Sequence, residues 1–178
     1  MSQIQHYSRT QRLIHWLMAF VVVSLFALGV WMVDLTYYSE WYQLAPHWHQ
    51  SIGVMLALVW GIRLVIRFIQ GTPPPLAHHR VVEKFFARVV HALMYLFLFI
   101  LFASGYLIST GDGRGIEVFN WFTIPSLGEL FPRQADLAGL VHEYVAYILI
   151  LLALFHALGA LKHHFIDKDE TLNRMLGR

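Results

Sequence analysis

Two histidines, His142 and His156, lie inside one apolar stretch, LAGLVHEYVAYILILLALFHALGALKHH over 137–164. Imidazole is a common metal ligand and a group whose charge changes near neutral pH. Along a helix, their fourteen-residue separation is a turn of about 1400° and a rise of about 21 Å, within roughly 40° of one face. One helix therefore carries two imidazoles along one stripe, one toward each end. The stretch is long enough to cross a bilayer. Ionisable groups inside such a segment are costly and point to function. Two stacked metal centres, each taking one ligand from this helix, explain the spacing. Such centres need partner ligands at matching depths on neighbouring segments.

The sequence supplies those segments. Apolar spans are expected over about 13–33, 48–69, 88–110 and 137–161. His15 and Trp16 open the first span, His49 the second, and His91 stands near the start of the third. The connection 34–47 is rich in Trp and Tyr. The run GTPPPLAHHRVVEK separates the second and third spans, and its prolines forbid helix. The longer connection 111–136 opens with GDGRG, a turn signal. Within it, VFNWFTIPSL has aromatics suited to a membrane interface. A polar tail, HHFIDKDETLNRMLGR, follows the fourth span. The expected architecture is all-α: one domain over 1–178, an integral membrane four-helix bundle.

Composition agrees. Of 178 residues, 57% are hydrophobic and only 13% charged, where soluble domains carry about 25% charged residues. The net charge of +2 and the lack of a basic stripe give no footing for nucleic acid. Cysteine is absent, which excludes disulfides, iron–sulfur clusters and covalent C-x-x-C-H haem attachment. The first apolar run reads as a full span, without an A-x-A-like cleavage site. Of the 13 Lys and Arg residues, 11 fall in the N-terminal segment, the 63–88 region and the tail. Only Arg114 and Arg133 fall in the other two connections. The positive-inside rule then puts both termini and the proline segment in the cytoplasm.

Depth sorts the histidines. His49 and His142 lie just inside the outer surface, while His15, His91 and His156 lie toward the cytoplasm. Bundles build cofactor sites from side chains on facing helices. An outer site from His49 and His142 follows; an inner site needs His156 with either His15 or His91. Two neutral imidazoles on haem iron leave no open position and favour electron transfer. The reading is a small membrane cytochrome with two non-covalent b-type haems. Gly53, Gly61, Gly105, Ala146 and Gly159 are candidates for close approach to a macrocycle. His47, His78, His79, His163 and His164 read as interfacial or solvated, and His6 as exposed. Arg63 and Arg67 read as snorkelling anchors, with haem propionate or quinone contact as the sharper alternative. Ser104 and Ser109 read as bonded to their own helix backbone. His142-Glu143 does not make a zinc protease, because H-E-x-x-H needs histidine where Ala146 stands.

The motifs RLIHW around His15, HQSIG at 49–53, IRLVIRF at 62–68, VHALMYL at 90–96, SGYLIST at 104–110 and HHFIDKDETL at 163–172, together with the His142–His156 spacing, resemble the bacterial cytochrome b561 family. The resemblance covers nearly the whole chain and is closest to its YceJ-type branch. It implies a pairing of His15 with His156 for the inner haem and of His49 with His142 for the outer. His91 would then stand beside the inner haem, as a propionate or quinone-site residue. His47, two residues before His49, is a rival for the outer site and ranks second, since its position ahead of the S-x-G motif does not fit.

The same resemblance implies electron transfer between the quinone pool (ubiquinone/ubiquinol) and a donor or acceptor at the periplasmic side of the bacterial inner membrane. It also implies a place beside the respiratory chain, and allows a periplasmic lipocalin-like isoprenoid-binding partner. Superoxide:ubiquinone oxidoreduction is a variant within the family. The six acidic residues of the outward connections (Asp34, Glu40, Asp112, Glu117, Glu129, Asp136) disfavour steering of an anion there. A cytochrome b subunit of a larger dehydrogenase is another reading. A histidine-based transition-metal transporter is a reading of a different class, disfavoured because the spans contain no mid-membrane carboxylate.

Overall fold

The computed structural model describes residues 6–177. Four long helices, α1 (Arg9–Val33), α2 (Trp41–Gln70), α3 (Val81–Ser109) and α4 (Gln134–Phe165), carry the architecture. All four are long and apolar enough to cross a membrane. A two-stranded hairpin, β1 (Ile116–Val118) and β2 (Phe122–Ile124), and a short helix, α5 (Asn173–Leu176), complete it.

Each helix outruns its apolar span, because polar end turns remain helical where their free backbone groups find partners. Ser8 caps α1 in a capping box: its Oγ accepts from the Gln11 amide at 3.2 Å, and Gln11 Oε1 accepts from the Ser8 amide at 3.3 Å. Gln11 Nε2 then donates to the Gly71 carbonyl at 2.9 Å, and Ser8 Oγ to Gln70 Oε1 at 2.7 Å. The start of α1 is thereby tied to the end of α2. Gly71, with φ +69°, ends α2, and the prolines behind it prevent resumption. Glu83 starts α3 by accepting from the Arg80 amide at 2.9 Å. The largest departure from expectation is at α2. It begins at Trp41, so the connection expected over 34–47 is confined to 34–40. Pro46 stands inside its second turn and leaves the Tyr42 carbonyl without an amide four residues on.

The hairpin is a second departure from an all-helical reading. Ile116 pairs with Ile124 and Val118 with Phe122. Gly113 has φ +82°, a conformation glycine adopts without cost, and a Cβ on Gly115 would lie 2.6 Å from the Ile124 carbonyl oxygen. The hairpin docks on α2. Ser51, fully buried, accepts from the Phe119 amide at 3.1 Å and donates to the Glu117 carbonyl at 3.4 Å. Phe119 also sets its ring edge-on to Trp48.

In the bundle, α1 packs chiefly on α2 and α3 on α4, with thinner seams between these pairs. The buried core is small: Met18, Leu25 and Leu56, flanked by Ile14, Ile52, Val59, Trp60 and Phe102. Phe20, Val65, Phe99 and Leu154 face outward, as a bundle solvated by lipid requires. Four passes place both ends of the described residues and the 71–80 connection at one end, called the termini end, and the 34–40 and 110–133 connections at the other.

Candidate functional site

The helices gather the five span histidines into two groups. At the hairpin end, His49 of α2 faces His142 of α4, with ring centroids 6.1 Å apart. At the termini end, His156 of α4 lies 6.3 Å from His15 of α1 and 5.1 Å from His91 of α3. Both groups sit across the seam between the two helix pairs. His47 is part-buried on α2, turned about 200° from His49 around the helix.

Metal–imidazole bonds of about 2 Å, plus roughly 1 Å from each nitrogen to its ring centre, put two rings on one metal about 6 Å apart. The His49–His142 and His15–His156 separations meet this value. The 5.1 Å between His91 and His156 is shorter than this.

The hairpin-end pair is prepared chemically. Ser104 Oγ donates to the Ile100 carbonyl at 2.7 Å and lies 3.1 Å from His142 Nδ1. With its proton committed to the backbone, the hydroxyl accepts from Nδ1–H. That fixes the tautomer and leaves the Nε2 lone pair free for a metal. Ser104 thus bonds its helix, as the sequence suggests, and orients His142 as well. His49 Nδ1 is buried without a hydrogen-bond partner. Small residues let the rings in: a Cβ on Gly105 would meet His142 Cε1 at 3.4 Å, and one on Gly29 would meet His49 Cε1 at 3.3 Å. Gly29 was not among the glycines singled out from sequence. Its signal was available, since it stands fourteen residues after His15. Gly53 and Gly159 follow His49 and His156 by about one helical turn, and a Cβ on either would meet nothing within 4 Å.

The termini-end group is wired differently. Arg63 turns inward: its Nη1 and Nη2 each lie 3.2 Å from His15 Nδ1, and its Nε donates to Tyr95 Oη at 3.1 Å. It is not a free snorkelling anchor. Arg67 lies over the Tyr95 ring, 5.6 Å from its centroid. A guanidinium only donates, so His15 Nδ1 accepts here and the proton belongs on Nε2.

At the hairpin end both cations are paired. Arg114 reaches Asp112 at 2.6 Å, and Arg133 reaches Asp136 at 3.3 Å. The Arg114 hydrogen bond holds the Asp112 carboxyl below the ordinary carboxylate range.

The family model of the prokaryotic cytochrome b561 matches residues 6–178. The chain belongs to this family. Cytochrome b561 homolog 2 of Escherichia coli K12 is 48% identical over 164 residues, 92% of this chain and 87% of the relative. Cytochrome b561 homolog 1 of the same organism is 26% identical over 98% of this chain and 99% of the relative. A probable superoxide oxidase of Yersinia pestis is 27% identical over 96% and 95%. This cytochrome b561 family member is therefore a multi-pass bacterial membrane protein of electron transfer that uses b-type haem.

The hairpin-end donor set fits that cofactor: two facing imidazoles, glycines beside both rings, an orphaned nitrogen on His49, and no cysteine in the chain. Removing the orienting hydroxyl gives a measurable consequence. With His142 as a haem ligand, Ser104→Ala should weaken haem retention by about 10- to 100-fold, the usual effect of losing a partner behind a ligand histidine. Titration of haem into depleted protein, read at the Soret band, checks this.

Proposed function

We propose that this protein is a two-haem b-type cytochrome that passes electrons between the membrane quinone pool and a periplasmic-side donor or acceptor, in the bacterial inner membrane. The observation that carries the proposal is that each of the two span histidines of α4 faces a histidine of the other helix pair, His142 with His49 of α2 and His156 with His15 of α1, at ring-centroid separations of 6.1 and 6.3 Å. His49 and His142 would hold the outer haem, and His15 and His156 the inner. Bound haem iron supplies a reversible one-electron centre there.

The chain's residues define the surroundings. Ser104 keeps the His142 proton on Nδ1. Arg63 and Tyr95 supply donors beside the inner group, where an anionic propionate or a quinone oxygen would find them. Lys and Arg placement supports a cytoplasmic location for the termini end. His91 is the residue proposed to stand beside the inner haem or a quinone. A lipocalin-like periplasmic partner would meet the hairpin end.

The superoxide variant draws no support from charge, because Arg114 and Arg133 are each engaged by a neighbouring carboxylate. The transporter reading draws none either. Among the described residues, no span histidine belongs to a group of three or more convergent metal-ligand atoms.

The deciding experiment is haem quantification on the purified protein, with a reduced-minus-oxidised spectrum. Two low-spin haems b per chain are expected. One haem per chain would remove one of the two assigned centres. No haem, with zinc or nickel bound instead, would overturn the reading.

A further inference from the structure

A separate group of histidines lies at the termini end, outside the spans. From sequence, His78, His79 and His163 read as interfacial or solvated. The fold instead draws them around one carboxylate. Asp169 Oδ2 lies 2.8 Å from His79 Nε2, 3.1 Å from His163 Nδ1 and 3.5 Å from His78 Nε2. The Asp169 side chain is only 4% exposed, and those of His79 and His163 are 13% and 16% exposed. Asp169 Oδ1 accepts from the Thr171 amide at 2.8 Å. One carboxylate oxygen is thus anchored, and the other is presented to three imidazole nitrogens.

We propose that His78, His79, His163 and Asp169 bind a divalent transition-metal ion of the zinc class, pinning the connection between α2 and α3 to the tail behind α4. Imidazole nitrogen and carboxylate oxygen are both ligands such an ion takes, and four of them complete a tetrahedral shell. The ligand atoms of His78, His79 and Asp169 already lie within 4.8 Å of one another. His163 Nδ1 is buried and makes no aligned hydrogen bond, although carboxylate oxygens of Asp167 and Asp169 lie 2.8 and 3.1 Å away. An imidazole nitrogen this close to a buried carboxylate gives two ligand atoms that one cation can bridge, the ion taking the place of the imidazole proton.

The neighbouring groups sort consistently. Lys162 engages Asp167 at 2.6 Å and Glu83 at 3.1 Å, so those carboxylates have a cation already. Thr171 Oγ1, 3.4 Å from His79 Nε2, is the one hydroxyl that must yield that nitrogen. His78, 62% exposed, is free to swing in as the last ligand. Arg174 Nη1 donates to the Pro74 carbonyl at 2.8 Å, which holds the same two segments together without the ion. The ligands come from segments about ninety residues apart, so the ion would act as a long-range clamp. This site is independent of the haem assignment.

The test uses the haem-loaded full chain in detergent, purified without a histidine tag and stripped with a chelator. Co²⁺ is the probe, since its visible d–d bands report tetrahedral nitrogen and oxygen ligation. One Co²⁺ per chain is expected, displaced by Zn²⁺. The double variant His79→Ala/Asp169→Asn should lose the bands. His78→Ala alters an exposed ring and leaves the fold intact. It should weaken Co²⁺ binding by at least the roughly 10- to 100-fold seen when a mere supporting partner is lost. Haem content should stay unchanged in both. Absence of stoichiometric Co²⁺ in the parent protein, or binding unaltered by His78→Ala, would overturn the proposal.

Discussion

Replacing His142 with alanine is expected to remove the outer haem and leave the inner one. Haem per chain should fall by about half, because a six-coordinate low-spin centre needs both axial imidazoles. The surviving haem should keep its low-spin spectrum, since His156 lies about 21 Å further along the helix. His49→Ala should give the same result, because His49 and His142 face each other at 6.1 Å. Retention of both haems in either variant would sink the outer assignment. Loss of both in His142→Ala would show that the substitution disturbs α4 as a whole. Haem-to-protein ratio and the α-band of the reduced form measure all of this.

The second large effect concerns the inner group. His15→Ala is expected to abolish the inner haem, and His91→Ala to retain two haems with an altered potential or quinone reactivity. Separation favours this order: His15 is 6.3 Å from His156, but His91 only 5.1 Å. The tautomer sets a condition on it. Arg63 at 3.2 Å from His15 Nδ1 places the proton on Nε2, whereas an Nε2 ligand carries its proton on Nδ1. Ligation through Nε2 therefore requires Arg63 to release that nitrogen. If His91→Ala loses the inner haem and His15→Ala keeps it, the ligand roles are exchanged and Arg63 holds His15 permanently. Redox titration of the two variants separates these outcomes.

Much of this was visible in one dimension. The fourteen-residue spacing on α4, the four apolar runs and the proline break needed no coordinates, because helical periodicity and membrane thickness translate directly into sequence. The choice between His15 and His91 did not. Both stand at the same depth on helices flanking α4, and only distances across the bundle distinguish them. Ser104 looked like a residue bonding its own helix, and its second contact, to His142, depends on how α3 rotates against α4. The hairpin was hidden because its turn uses positive φ at Phe119 and Asn120, where no glycine signals it. His79 and His163 looked solvated because their sequence neighbours are polar. Asp169 reaches His79 from ninety residues along the chain, and the turn behind α4 folds it back onto His163. Local patterns revealed elements, and contacts between remote elements decided the chemistry.

The pairing of α1 with α2 and α3 with α4 bears on how the protein is made. Each half is a helical hairpin closed by near-neighbour contacts, the kind that form early. The proposed ligand couples all cross from one half to the other: His49 to His142, His15 to His156. Newly inserted chains would therefore hold two preformed halves, joined by the short proline-bearing segment. Cofactor capture becomes the step that sets their final register. Cells starved of haem should accumulate inserted chains whose halves are each protected from protease, with cleavage directed to the segment between them.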